Sequence, residues 1–584
     1  MMSAALALRA TPVGVNAFND NVRRTMRRHA RAASSKRRGR ETNVSVVAPA
    51  AAASEGPTST SAAAKSHDTD VVVIGAGIGG LCAGALLAKY GYDVTVVESH
   101  DIPGGAAHAW KRDGYTFESG PSLYSGMSKW PTTNPCGQVL HALDEPLPCV
   151  YYNTWMCHLP EGSFLTEVGN DQFLDVLKAY VDDEAVEEWK RLKELMKPLA
   201  AASSALPPSA VRTDPAAAIT LARFVPGLLR AAPQLPEIMA PYSKFMDKND
   251  IKHPFIRNWM EVLCFLLSGA PASGTLAAEI GYMFDDWYRP NSTLEFPIGG
   301  SEAIVDALVR GLEKNGGKLM LRSHVNNIVV EDERATGVVL RGGARINARK
   351  AVISNATLWD TLPMLPEGAM PEEWVKEVED TELCASFMHL HLGIDAAGLP
   401  DDLEIHHIYI EDWDRGVTGE QNMVLVSIGS VLDPSLAPEG KHVIHAYTPG
   451  NEPLDLWQGL DRNSDEYKAL KEERSQVLWR AVEKAIPDVR ERVEVEMVGT
   501  PLTQARFLRR HKGTYGGTGW ISEETDSVPI TSASTPLDGL LVVGDSNFPG
   551  PGVPSVAAHG WSAAHEIAPF WEQCRMLDKV APSR

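Results

Sequence analysis

Residues 70–105, DVVVIGAGIGGLCAGALLAKYGYDVTVVESHDIPGG, leave this chain little choice of architecture. Residues 70–74 are a short apolar run suited to a strand buried on both faces. The run breaks into Gly75-Ala76-Gly77-Ile78-Gly79-Gly80, a G-x-G-x-x-G pattern on Gly75, Gly77 and Gly80. Gly75 permits a tight turn, Gly77 lets a pyrophosphate approach the backbone, and Gly80 lets the next helix pack on the strand. Residues 81–90 follow with helical spacing, and the amino end of that helix is where a diphosphate would sit. A second strand over 93–97 ends in Glu98, whose carboxylate can hold both hydroxyls of a ribose. A glycine turn with no ligand is the plain alternative. The placement between strand and helix, with an acid at the right distance, favours a dinucleotide, and Glu98 favours FAD or NAD over NADP.

A chain of 584 residues is too long for one simple core, so two interleaved domains are expected. The net charge of −20 conceals an asymmetry: residues 1–66 carry eleven Lys/Arg against three Asp/Glu, a net of +8, leaving −28 on the remainder. An acidic body argues against nucleic acid as a partner and against adhesion to anionic lipid by charge alone. The amino end is Arg-rich, Ala/Ser-rich and poor in acids, the composition of a transit peptide, with a plastid favoured over a mitochondrion. A disordered basic tail or a nuclear signal would share that composition. Cys82, Cys136, Cys149, Cys157, Cys264, Cys384 and Cys574 form no C-x-x-C, so neither a zinc site nor a disulfide framework is indicated, and Cys82 reads as a small buried residue. No apolar run is long enough to span a bilayer. Two apolar stretches, 217–246 and 255–284, read as core helices, or as a greasy tunnel mouth resting on a membrane.

Gly104-Gly105 stands where many flavoproteins place a second glycine pair followed by Arg. Here Ala106, Ala107 and His108 follow, which suggests less side-chain charge near a diphosphate. Residues 150–290 turn helical, rich in Trp and Met and punctuated by Pro, as suits a substrate-covering insert. Nucleotide-fold features return at 294–300, with a helix over 302–315 and strands over 318–322, 325–330, 338–340 and 349–354. In a flavin fold the backbone at Val325 would meet the adenine. Strands over 387–394, 405–410, 423–428 and 442–447 suggest a mostly antiparallel sheet, and a helix runs over 464–485. His389 with His391, and His406 with His407, would need a further ligand to hold a metal, and no such partner is evident, so strand packing or polar lining is preferred.

The carboxyl end decides between the cofactors. A strand over 540–543 ends in Gly544-Asp545-Ser546, followed by Pro549-Gly550-Pro551-Gly552-Val553 and a helix over 555–568. Asp545 can hold a ribityl chain, and the helix beginning near Gly552 and Val553 can aim its positive end at a flavin pyrimidine. No second strand–GxGxxG–helix unit is evident, since the glycines of 513–519 lack a flanking strand. FAD is therefore the expected cofactor, with no dedicated NAD(P)H domain.

The 75–98 motif, GYTFESGPS at 114–122, FPIGG at 296–300, TPLTQARFLRRHKGTYGG at 500–517 and VGDSNFPGPGVPSVAAHG at 543–560 together resemble the carotenoid isomerase and phytoene desaturase family of flavoproteins, closest to its plant and algal isomerase-like branch. The likeness covers residues 67–570. It implies an α/β fold: a Rossmann-type FAD-binding domain of glutathione-reductase-like and amine-oxidase-like form, interleaved with a helical and antiparallel-sheet substrate domain. The expected division is a transit peptide over 1–66, FAD-binding segments over 67–148, 293–370 and 499–584, and substrate segments over 149–292 and 371–498. The resemblance further implies a plastid protein, peripheral on a membrane, acting on a long polyene, with cis–trans isomerisation by reduced FAD as the leading reading. Desaturation, saturation or hydration within the same family remains open, as does a non-enzymatic carotenoid carrier; an amine oxidase is a weaker rival. The expected cofactor contacts are Gly75, Gly77, Gly79, Gly80, Glu98, Gly104, Gly105, Val325, Gly544, Asp545, Gly552 and Val553, and no metal is expected. Glu295, Arg506 and Arg509 adjoin these motifs and read as structural or dinucleotide contacts, so no catalytic residue is assigned.

Overall fold

The computed structural model describes residues 67–516, 533–547 and 550–581. The basic segment 1–66, residues 517–519 of the glycine-rich stretch and Pro549 lie outside the described residues. The first strand spans His67–Ile74, with Val71, Val72 and Val73 fully buried. Parallel neighbours on both edges, Arg345–Ser354 and Val94–Val97, take up its backbone hydrogen bonds. The sheet runs in the order Val325–Glu331, Arg334–Leu340, Arg345–Ser354, His67–Ile74, Val94–Val97, Lys318–Met320; Leu540–Val542 pairs in parallel with Arg345–Ser354 as its seventh strand. The helix Ile78–Lys89 is buried from Ile78 to Ala88, because it is covered by the sheet on one side and by the helix Val553–Ile567 on the other. A Cβ on Gly560 of that second helix would fall 2.5 Å from Cys82 Cβ, so Cys82 is a packing residue, and burial pushes its thiol up.

A second seven-stranded sheet runs Val493–Gly499, His389–Asp395, Lys441–Tyr447, Met423–Ser427, His406–Ile410, Thr154–Leu159, Gly162–Glu167. Its last two strands lie within the insert expected to be mostly helical. They form a hairpin that joins His406–Ile410 through a parallel pairing of Thr154–Leu159, turning Trp155 and Cys157 into the helical core. The expected strand over 318–322 stops at Met320, and that expected over 349–354 begins at Arg345. Asp183–Ser203 and Ala277–Tyr288 approach closely at Gly281, where a Cβ would lie 2.5 Å from Ser203 Oγ.

The two apolar stretches have different fates. In Pro254–Ser268, Trp259, Met260, Val262 and Leu263 are fully buried, and Trp155 packs edge-on to Trp259 at 5.8 Å. Residues 217–238 form a chain of short helices that leaves Ile219, Val225, Leu229 and Leu235 exposed by 53, 45, 71 and 44%. No helix among the described residues is long and apolar enough to cross a membrane.

Candidate cofactor and substrate cavity

A cavity of about 730 Å³ opens between the carboxyl ends of the parallel strands and the second sheet. The carboxyl edge is where α/β sheets place ligands. Gly75, Gly77, Gly79, Glu98, Gly104, Gly105, Val325, Gly544, Asp545, Gly552 and Val553 all line it. Gly80 does not. It lies one layer below, where a Cβ would come 2.3 Å from the Gly75 carbonyl oxygen, so its missing side chain lets the helix pass over the turn.

The turn itself is held from several sides. Gly75 takes φ 93°, which favours glycine there. The Ala76 N–H donates to Glu98 Oε2 at 2.9 Å, and the Gly104 N–H donates to the Ala76 carbonyl at 2.7 Å. The two glycine pairs therefore fold against each other: a Cβ on Gly105 would lie 3.2 Å from Gly77 Cα. Asn355, the residue after the strand Arg345–Ser354, reaches into the same cradle; its amide would touch a Cβ placed on Gly77 or Gly79 at 2.6 and 2.8 Å. Sequence reasoning passed over Asn355. The signal was its position, since it ends the strand beside the first one and so arrives at the glycine turn. These absent side chains, an acidic residue at one end and the amino end of Val553–Ile567 at the other fit an elongated dinucleotide.

Positive side chains do reach the cavity, although none follows Gly105 directly. Arg509, Arg510 and Lys512 line the cavity from the segment after the helix Pro501–Phe507, and Arg509 and Lys512 take φ 54° and 51°. Left-handed backbone at two non-glycine residues costs on the order of 1 kcal/mol each and tends to mark functional sites. Arg510 Nη1 donates to Asp545 Oδ2 at 2.6 Å. Burial alone would lower the Arg510 pKa, but the Asp545 carboxylate outweighs it and holds the guanidinium above its usual range. Asp545 thus spends one oxygen on Arg510 rather than standing free for a ribityl chain.

The remaining candidates separate. Glu295 is buried away from the cavity and accepts from the N–H groups of Met127 and Ser128 at 2.7 and 2.9 Å, a structural cap. The Arg506 guanidinium lies 5.3 Å over the Phe507 ring and does not line the cavity. The wall supplied by the second sheet is largely apolar and aromatic: Phe387, Leu425, Tyr447 and Pro449, facing Phe265 and Leu266. His389 and Gln504 interrupt it. The further partner that His389 and His391 lacked in the sequence is His445 on the adjacent strand Lys441–Tyr447. His406 and His407 lie elsewhere: His406 hydrogen-bonds Ser427 Oγ and the Tyr152 hydroxyl at 3.0 and 2.8 Å, and His407 stacks on His158. Burial lowers their pKa values to about 3 and about 4.

Fold and cavity together define a Rossmann-type α/β protein with a second, mostly antiparallel sheet facing the glycine turn across the cavity. Residues 73–134 match the family model described as an NAD(P)-binding Rossmann-like domain. An oxidoreductase from Methanosarcina mazei shares the fold with a TM-score of 0.56 at 18% identity, covering 84% of this chain and 99% of that one. Putrescine oxidase shares it with a TM-score of 0.53 at 14% identity over 88% of this chain and 100% of the oxidase. Among curated relatives, prolycopene isomerase 1, chloroplastic, from an Oncidium hybrid cultivar is 34% identical over 521 residues, covering 85% of this chain and 84% of its own length. The neurosporene-forming phytoene desaturase of Rhodobacter capsulatus is 26% identical over 85% of this chain and 93% of its own. The chain belongs to the prolycopene isomerase family.

Proposed function

We propose that the protein is a plastid, FAD-dependent carotenoid cis–trans isomerase that works with reduced flavin. The observation that carries this reading is the joining, in one cavity, of a dinucleotide cradle and an aromatic, aliphatic wall. A long polyene offers no charge to grip, so it is held by shape and apolar contact, with few polar anchors. Phe265, Leu266, Phe387, Leu425 and Tyr447 provide such a surface.

The glycine turn, Glu98, Asn355, Arg510 and the helix beginning at Val553 would hold the dinucleotide, and Val325 its adenine end. Reduced FAD held there would supply an electron-rich face to the polyene. The sheet wall then holds one double bond against the cofactor and excludes water. The exposed side chains of Ile219, Val225, Leu229 and Leu235 support a peripheral contact with the membrane in which such a substrate dissolves.

The test is anaerobic incubation of the full chain with poly-cis-lycopene, with FAD oxidised or reduced, followed by chromatography and mass measurement. The expected result is all-trans product of unchanged mass with reduced FAD alone. A change of two hydrogens would instead make it a desaturase or saturase, a gain of water a hydratase, and bound pigment without turnover a carrier.

A further inference from the structure

Histidine is an uneconomical choice for the buried face of a sheet, because each imidazole loses water and must regain its hydrogen bonds. Yet His389, His391 and His445 are only 4, 5 and 6% exposed. Antiparallel register sets His391 opposite His445 and His389 opposite Tyr447, on one face of the sheet. One nitrogen from each of the three histidines lies within 4.8 Å of the others. Their rings are nonetheless nearly parallel, 7° apart for His391 and His445 and 17° for His389 and His445. Stacked rings point their in-plane lone pairs side by side rather than at a common centre.

The nitrogens are used in a line of hydrogen bonds. Gln504 Nε2–H donates to His389 Nε2 at 2.5 Å, which leaves the His389 proton on Nδ1 to donate to His445 Nε2 at 2.9 Å, and His391 Nε2–H donates to the Glu118 carbonyl at 2.9 Å. His389 and Gln504 line the cavity, whereas His445 and His391 stand behind them. Tyr447 adjoins the pair on its own strand, and from the nucleotide side His108 and Trp110 approach the same cluster. Gln504 Oε1 has no hydrogen-bond partner among the described residues, so swinging this amide off His389 Nε2 breaks a single hydrogen bond there.

We propose that, in the isomerisation read above and on which this inference rests, His389 lends a proton to the polyene and takes it back, with His445 as the relay behind it. When Gln504 swings aside, His389 Nε2 takes up a proton from solvent and the Nδ1 proton shifts to His445 Nε2, so that the pair holds one proton beyond neutrality. As His389 Nε2 gives its proton to one carbon of the cis double bond, His445 Nε2 passes its proton to His389 Nδ1. The π electrons of that bond form the new C–H bond and leave a cation spread along the polyene, so rotation proceeds about a single bond. The C–H electrons then restore the double bond, the proton returns to His389 Nε2, and the Nδ1 proton returns to His445. Nothing is oxidised or reduced, and the pair ends as it began. Burial, with neighbouring imidazoles adding to it, holds both pKa values well below the ordinary one, which makes the protonated pair a strong acid toward carbon. His389 is the catalytic residue of this scheme and His445 its positioning partner.

The test uses the full chain loaded with reduced FAD and poly-cis-lycopene, from about pH 5.5 to 8.5, in H2O and in D2O. Because burial lowers both pKa values from the ordinary one, the protonated pair is the form that rising pH depletes, so the rate is expected to fall by up to about tenfold per pH unit as pH rises, with a solvent isotope effect of about twofold or more. His389→Gln is expected to lose roughly a hundredfold or more in rate at unchanged FAD content. His445→Gln, which keeps a hydrogen-bonding group but cannot relay a proton, is expected to lower the rate about tenfold or more and to shrink the solvent isotope effect, since one proton rather than two is then in flight, while the pH slope set by His389 remains. A pH-independent wild-type rate without an isotope effect would overturn the proposal even while isomerisation holds. So would a His445→Gln enzyme with the wild-type rate and isotope effect, which decides the matter should His389→Gln fail to retain FAD. Absence of any isomerisation by the unaltered chain would overturn the functional reading beneath it.

Discussion

Gly77→Ala and Gly80→Ala are two substitutions three residues apart in one motif, and the structure assigns them opposite consequences. At Gly80 an added Cβ meets the Gly75 carbonyl oxygen at 2.3 Å and Val73 Cγ1 at 3.2 Å, so backbone has to move. Overpacking of this kind costs about 1–3 kcal/mol. With an unfolding entropy of about 2.1 cal/mol/K per residue, a chain of this size loses on the order of 1–3 °C in Tm. At Gly77 the backbone is extended, with φ −71° and ψ 169°, which alanine adopts without strain. Its Cβ meets only the movable amide end of Asn355, at 2.6 Å, but it projects into the dinucleotide cradle. Gly77→Ala should therefore leave the apo protein within about 0.5 kcal/mol of wild type while weakening FAD by roughly tenfold to a hundredfold, or about 1.4–2.8 kcal/mol. Thermal unfolding of the apo forms and fluorescence titration with FAD separate the two effects. Wild-type FAD affinity in Gly77→Ala, or undiminished stability in Gly80→Ala, would refute the division between cradle and packing layer.

Asp545→Asn leaves the Arg510 guanidinium, 11% exposed, without its carboxylate, and should destabilise the apo chain by about 3 kcal/mol in urea unfolding as well as lowering FAD occupancy. Acid should loosen the second sheet: His391, His406 and His407 have folded pKa values lowered to about 4, 3 and 4, so between about pH 6.5 and 4 the unfolded chain binds more protons than the native one. Stability is then full above about pH 6.5 and falls as pH drops, by up to about 1.4 kcal/mol per pH unit for each histidine; His406→Gln should reduce the slope of urea-measured stability against pH by about one proton. Leu229→Asp with Ile219→Asp should cut co-sedimentation with neutral lipid vesicles at least tenfold, since each side chain withdrawn from an apolar phase forfeits about 1.5 kcal/mol or more, while leaving the rate on detergent-dispersed substrate unchanged.

The parts of the fold that depend on local chemistry were legible in the sequence. The glycine turn, the acid ending the second strand and the helix after Gly552 each carry their meaning within a few residues, and the structure brings them to one cavity. Contacts made by register were not. Thr154–Leu159 and Gly162–Glu167 sit in a stretch dominated by helices, and only pairing with His406–Ile410, some 250 positions away by number, makes them part of a sheet. Arg510 was hidden similarly: nothing local says that it turns toward Asp545, 35 positions away, rather than toward solvent.

The histidines show where this boundary falls. Alternation on one strand puts His389 and His391 on a common face, and that much follows from a period of two. Whether such a pair binds a metal, lines a wall or moves a proton depends on what the neighbouring strand places opposite, and a slip of one residue would send His445 to the other face. The observed register sets His445 against His391 and within hydrogen-bonding reach of His389. A pair of buried, mutually bonded imidazoles differs chemically from two isolated ones, since one extra proton can be passed between them and its charge shared by the two rings. The reactivity of this wall is thus a property of strand pairing, carried by residues that would look like ordinary sheet packing taken one at a time.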